Sequence, residues 1–153
     1  MFSKEELKEI NTNFWEGYKL HMKKIKSSNG KRVNWLKYPT DVKFIYLRLE
    51  VDSKSARICF DIQNKHDDIR AIVYEQMTEL KVVLEEAIDF KTDWFEDFYL
   101  LDNKISRIQW ELEAVSIYKK EDQTKIYDFF KNTLIQFDLF YQDYKDILIA
   151  LTD

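Results

Sequence analysis

Apolar residues open the chain at helical spacing: Leu7, Ile10, Phe14, Tyr18, Met22 and Ile25 fall every three or four positions, which places them on one face of a helix. Ser3, with Glu6 three residues on, reads as a capping box that starts this helix, and Ser27-Ser28-Asn29-Gly30 reads as its stop. The period then shortens to two. Residues 31–37 put Val33 and Trp35 on one face and end at the turn Tyr38-Pro39-Thr40-Asp41. Residues 42–51 set Ile45, Leu47, Leu49 and Val51 against Phe44, Tyr46, Arg48 and Glu50. Residues 55–63 set Ala56, Ile58, Phe60 and Ile62 against Arg57, Cys59, Asp61 and Gln63, and Asp52-Ser53-Lys54-Ser55 joins the two runs as a short hairpin.

Helical spacing returns with Ile69, Ile72, Val73, Met77, Leu80, Leu84 and Ile88, capped by Asp67 or Asp68. Residues 93–101 and 105–112, around Asp102-Asn103-Lys104, carry Trp94, Phe98 and Trp110, residue types that suit strands. Val115-Ser116-Ile117-Tyr118 reads as an extension of the second of these. From about 121 to 151, Ile126, Phe130, Leu134, Phe137, Tyr141, Tyr144, Leu148 and Leu151 form one long stripe, the clearest helix in the chain. The expected fold class is α+β: a mostly antiparallel five-stranded sheet with three helices, order αβββαββα, in a single domain over residues 1–153.

Composition narrows the chemistry. Hydrophobic residues at 45% and charged residues at 34% describe a chain that buries a core, and the aromatic share of 16% makes that core rich in rings. Only two glycines are present, Gly17 and Gly30. A P-loop or a dinucleotide-binding turn needs several glycines close together so that backbone can approach phosphate, and both are excluded. The net charge of −4 offers no general attraction for nucleic acid. Local positive charge gathers at Lys23-Lys24-Ile25-Lys26 and Lys31-Arg32, where it also suits the end of a helix. Cys59 is the only cysteine, so no internal disulfide forms. The charged opening Met1-Phe2-Ser3-Lys4-Glu5-Glu6 does not resemble a secretion signal, and no apolar run is long enough to span a membrane. A cytoplasmic location is the expectation by elimination.

Several clusters resemble a family of short bacterial proteins known as a domain of unknown function, DUF4268. They are Phe14-Trp15, Asn34-Trp35 with Tyr38, Ile45-Tyr46-Leu47-Arg48, Ser106-Arg107-Ile108 and Val115-Ser116-Ile117. The resemblance covers nearly the whole chain. It implies no activity, since the family has none established. The family's domain also looks to occur behind nuclease-type domains in longer proteins, which implies a DNA-related setting.

A more specific chemistry follows from element order. The αβββαβ run resembles the core of PD-(D/E)xK phosphodiesterases, in which carboxylates on a β-hairpin hold Mg²⁺ and a nearby Lys helps to activate water. The catalytic candidates are Asp41 or Glu50 with Asp61 and Gln63, the last standing where that family has Lys. The hairpin register argues against such a site. A turn centred on Ser53-Lys54 pairs Val51 with Ala56, Glu50 with Arg57, Arg48 with Cys59 and Tyr46 with Asp61. Asp61 then lies four positions from the partner of Glu50, about 13 Å at about 3.3 Å per residue, and Asp41 falls opposite His66.

The same register pairs the charges: Glu50 faces Arg57, and Arg48 lies diagonal to Asp61. Such pairs contribute about 0.2–1 kcal/mol each, so Asp61→Asn is expected to cost no more than about 1 kcal/mol. Arg48, Arg57 and Arg107 are the candidate binding residues. No residue is assigned as a metal ligand. His21 and His66 lack ligand neighbours at helical spacing, and Cys59, on a strand among apolar residues, reads as an inert small side chain. Phe129 and Phe140 lie off the stripe of the last helix and, if exposed, mark a homodimer contact. The expected function is a non-enzymatic binding or accessory module in a DNA-related setting, without a cofactor. The alternative is a divergent metal-dependent nuclease, which would take Mg²⁺.

Overall fold

Ser3 caps the first helix as expected. Its hydroxyl accepts from the Glu6 amide at 3.1 Å while the Glu6 carboxylate accepts from the Ser3 amide at 3.1 Å. The computed structural model describes residues 1–153 and runs α1 (Lys4–Met22), β1 (Ile45–Val51), β2 (Ser55–Ile62), α2 (Asp67–Glu79), α3 (Lys81–Ala87), β3 (Asp93–Leu100), β4 (Asn103–Glu113) and α4 (Gln123–Thr152). A single 3₁₀ turn, Lys120–Asp122, leads into α4. The sheet therefore has four strands and the fold four helices, against the five and three expected.

The missing strand is the run 31–37. Val33 and Trp35 alternate correctly, but the segment folds as a series of local turns. The Asn29 side chain accepts from the Lys31 amide at 2.9 Å, and the Asn34 side chain accepts from the Leu36 and Lys37 amides at 3.0 Å each. These Asx turns take the donors a strand ladder would need. Trp35 is buried all the same. Its indole N–H donates to the Ile25 carbonyl at 2.8 Å, and its own carbonyl accepts from the Tyr18 hydroxyl at 3.0 Å. The strand expected from residue 42 begins only at Ile45, because Asp41 (φ 63°) and Phe44 (φ 66°) take left-handed backbone conformations that interrupt extension.

The extra helix comes from a break at Leu80 (φ −92°, ψ 6°), where the expected single helix divides into α2 and α3. The helix starts on His66 without a side-chain cap, in place of Asp67 or Asp68. Its stripe is also narrower than expected, since Ile69 and Ile72 are exposed. Val115–Tyr118 does not extend β4, because Ala114 turns the chain with φ 59°.

The strand order is β1-β2-β4-β3, every neighbouring pair antiparallel. The β1–β2 register is the one expected, Glu50 with Arg57 and Tyr46 with Asp61. Buried side chains of all four helices join Ile58, Phe60, Ile62, Ile108 and Trp110 in one core cluster of 29 residues. Phe137 and Tyr141 of α4 stack on each other and meet Phe60 and Trp110. Truncating a ring buried in this way costs about 3–5 kcal/mol. Phe129 and Phe140 are buried too, Phe129 against Phe90 and Phe140 against Tyr144. The condition under which they would mark a homodimer contact is therefore not met.

The long connection between α1 and β1 is held to α4 by a buried carboxylate. Asp138 accepts from the Ser27 hydroxyl at 2.9 and 3.0 Å, the Ser28 amide at 2.7 Å, the Tyr38 hydroxyl at 2.6 Å and the Gln142 side chain at 3.2 Å. Burial alone would raise the pKa of Asp138. These donors, the Ser28 amide foremost, outweigh burial and hold it below the usual aspartate value. The Tyr141 hydroxyl completes the attachment by donating to the Thr40 carbonyl at 2.6 Å.

Candidate functional site

The charged side chains of β1, β2 and β4 share the sheet face opposite the helices. Asp61 is 0% exposed. One of its oxygens accepts from Arg107 Nε at 2.7 Å, and the other accepts from Arg107 Nη2 at 3.0 Å and from Arg48 Nη1 at 2.8 Å. Arg107 stands opposite Asp61 in the β2–β4 ladder, which explains the two-pronged contact. It also reaches Glu50, 3.3 Å from Nη2 to Oε2 and 3.4 Å from Nη1 to Oε1. Glu50 accepts in turn from Arg57 Nε at 3.0 Å. Arg57 goes on to Asp52 at 3.1 Å and Glu111 at 3.6 Å, and Gln63 closes the opposite end by accepting from Arg48.

The register reading kept Glu50 and Asp61 apart. Side-chain reach reverses that: one guanidinium nitrogen touches both acids, so their oxygens lie within twice a hydrogen-bond length of each other. What joins them is a cation supplied by the protein. Glu50 would be raised by burial, but Arg107 and Arg57 outweigh that and hold it below the usual glutamate range. Burial works the other way on Cys59, pushing its thiol well above the ordinary value, so it does not ionise near neutrality. Asp41 lies off this face, bonded to Lys145 at 2.9 Å.

The Arg107 end of the face is also covered. A β-bulge between Phe95 and Phe98 inserts one extra residue into β3. It puts two rings three positions apart on the same side, where strict alternation would separate them. Their centroids are 5.7 Å apart, and Phe98 lies 4.2 Å from the Arg107 guanidinium, a cation–π contact that keeps water away from the network's centre.

A separate opening lies along the outer edge of β1. It has a volume of about 630 Å³ and is walled by Trp15 of α1, by Leu36 and Tyr38 of the connection, and by Tyr46, Leu47, Arg48 and Leu49. Lys19, Lys37 and Arg48 supply its only charges. That size falls within the range of about 300–1,000 Å³ usual for ligand sites, as does a mostly apolar lining with a few polar groups. Of the residues chosen from sequence, only Arg48 touches both the charged face and this groove. Trp15, Lys19 and Lys37 were missed: Trp15 and Lys19 share a face of α1 one turn apart, but Lys37 joins them only when the connection packs on that helix.

These features describe an α+β domain with an antiparallel sheet, one face packed by helices and the other closed by its own ion pairs. The chain belongs to the domain family of unknown function DUF4268, whose profile matches residues 10–145, in agreement with the resemblance of its motifs. No curated protein and no solved structure matches it. No helix is long and apolar enough to cross a membrane.

Proposed function

We propose that this domain is a non-enzymatic binding or accessory module that takes its ligand at the edge of the sheet. The observation that carries this reading is the occupancy of Asp61: both oxygens are already held by Arg107 and Arg48. A carboxylate that serves Mg²⁺ must offer oxygen to the ion at about 2.0–2.1 Å. Here that would mean breaking into a set of three guanidinium contacts, two of them from an Arg107 that Phe98 covers. The groove, by contrast, is open and apolar, and part of its lining is aromatic. A DNA-related setting, which the family resemblance implies, and a cytoplasmic location, expected by elimination, accompany this proposal.

The test is a melting curve with and without Mg²⁺ or Mn²⁺, run beside a binding screen against duplex DNA, single-stranded DNA and RNA. A metal stabilises a fold only by binding its native state, so we expect no shift with either ion. A rise of several degrees that disappears in Glu50→Gln would refute the module reading and favour a metal-dependent nuclease.

A further inference from the structure

We propose that the groove beside β1 receives an extended peptide segment of a partner protein, alternating apolar and acidic side chains, which adds to the sheet as a fifth strand. The proposal rests on the binding-module reading and names the ligand class.

The position of the groove is the first argument. Tyr46, Leu47, Arg48 and Leu49 all line it, yet successive side chains of a strand point to opposite faces. A cavity that touches four in a row lies beside the strand, in the direction of its backbone hydrogen bonds. β1 is an edge strand. Its bonds to β2 fall on even-numbered positions, because the ladder is bracketed by Gln63 donating to the Phe44 carbonyl at 2.7 Å and Asp52 donating to the Ser55 carbonyl at 3.1 Å. The backbone groups of Ile45, Leu47, Leu49 and Val51 therefore point outward. Ile45 is satisfied by Val42 and Thr40, and Leu47 bridges to Tyr38. Leu49 and Val51 have no backbone partner on that side.

The second argument is why the edge stays open. Tyr38 meets Leu47 antiparallel, so continued pairing would bring Lys37 opposite Arg48 and Leu36 opposite Leu49. The Asn34 side chain holds the Leu36 and Lys37 amides instead. The connection thus begins a strand against β1 and peels away after one residue, leaving a strand-shaped gap. Unpaired edges recruit extended chains by main-chain hydrogen bonding, with side-chain pockets setting selectivity.

Charge selects the occupant. The chain carries an excess of acids, 28 against 24 Lys and Arg, but no acid lines the groove and three cations do. Lys37 is in no ion pair, exposed Lys19 is shared with Glu16 at 3.5 Å, and Arg48 is shared with Asp61. A second copy of β1 would bring those cations against themselves. An acidic, apolar segment fits both the walls and the rim.

The experiment uses the full chain and a fluorescein-labelled decapeptide of alternating Val and Glu. Controls are the same peptide with Lys for Glu, the same peptide N-methylated at alternate backbone nitrogens, dodecanoate, and an oligothymidylate. Fluorescence anisotropy reads affinity, and NMR hydrogen exchange reads the Leu49 and Val51 amides. We expect the Val/Glu peptide to bind and to slow exchange at both amides. The Lys peptide, the N-methylated peptide and the Lys19→Glu/Lys37→Glu variant should each weaken binding by about tenfold or more. Both lysines are exposed on the surface, so this variant folds. Binding that ignores N-methylation, or an oligothymidylate that fills the groove, overturns the proposal. Dodecanoate binding there without any peptide binding overturns it too, but leaves the module reading intact. If no probe binds and a metal-dependent melting shift is present, both readings fall.

Discussion

Replacing Asp61 by alanine removes the acceptor for three charged hydrogen bonds, two from Arg107 and one from Arg48. The two arginines respond differently. The Arg48 side chain is 34% exposed and recovers water, so its share of the loss is small. The Arg107 side chain is 3% exposed and keeps only the longer contacts to Glu50 and the ring of Phe98. Removing one partner of a buried ion pair costs about 3–5 kcal/mol. We expect that loss here, well above the value of about 0.2–1 kcal/mol that suits an exposed cross-strand pair. Asp61→Asn keeps the shape and one acceptor and should cost about 1.5–3 kcal/mol, the range for a hydrogen bond to a charged group. That exceeds the ceiling of about 1 kcal/mol that follows when Arg48 is the one partner counted for Asp61, because Arg107 adds two further bonds. The assay is urea unfolding followed by far-UV circular dichroism, with Asp61→Leu, Arg107→Met and the Asp61→Leu/Arg107→Met pair completing a cycle. The double variant should recover much of the loss, because it leaves no unpaired charge in the interior. A cost below about 1 kcal/mol for Asp61→Ala would refute the claim that Arg107 depends on it.

Gly17→Ala should destabilise despite the better helix propensity of alanine, because an added Cβ would meet the Tyr127 hydroxyl at 2.5 Å. That hydroxyl is committed to the Phe14 carbonyl and cannot easily move, so a raised melting temperature would count against this packing. Asp138 has a depressed pKa in the folded state, so its contribution to stability is complete above the unfolded aspartate value of about 4 and drains away as pH falls below it. Urea midpoints measured down to about pH 2 should fall on the acid side for the wild type, and Asp138→Asn should flatten that slope. Deleting residues 121–153 removes Phe130, Leu134, Phe137 and Tyr141 from the core. The remainder should lose its cooperative transition, and a soluble, cooperatively melting fragment would contradict the assignment of α4 to the core.

What could be read from sequence was local. Ser53 and Lys54 make a connection so short that the β1–β2 register follows by counting. The stripe from Ile126 to Leu148 is long enough to define α4 by its period alone. Val33 and Trp35 misled because alternation states only which side chains could share a face, while Asn29 and Asn34 decide where the amides go. The site was hidden for a similar reason. β2 and β4 are separated by two helices and a strand, so nothing in the sequence set Arg107 opposite Asp61. The bulge that brings Phe95 and Phe98 together over Arg107 likewise has no signature in the residue pattern. The groove is less legible still, since its far wall is an irregular connection whose path depends on contacts with α1 and α4.

Asp138 also orders events in time. A ribosome releases the chain from its N-terminus at about 5–20 residues per second, so β1 and β2 can form a hairpin well before α4 emerges. Until then Ser27, Ser28 and Tyr38 have no carboxylate to bind, and Thr40 has no Tyr141 hydroxyl. The wall that borders the free edge of β1 therefore settles only after α4 has formed. The shape of that edge is thus completed by contacts from α4 and not by β1 alone.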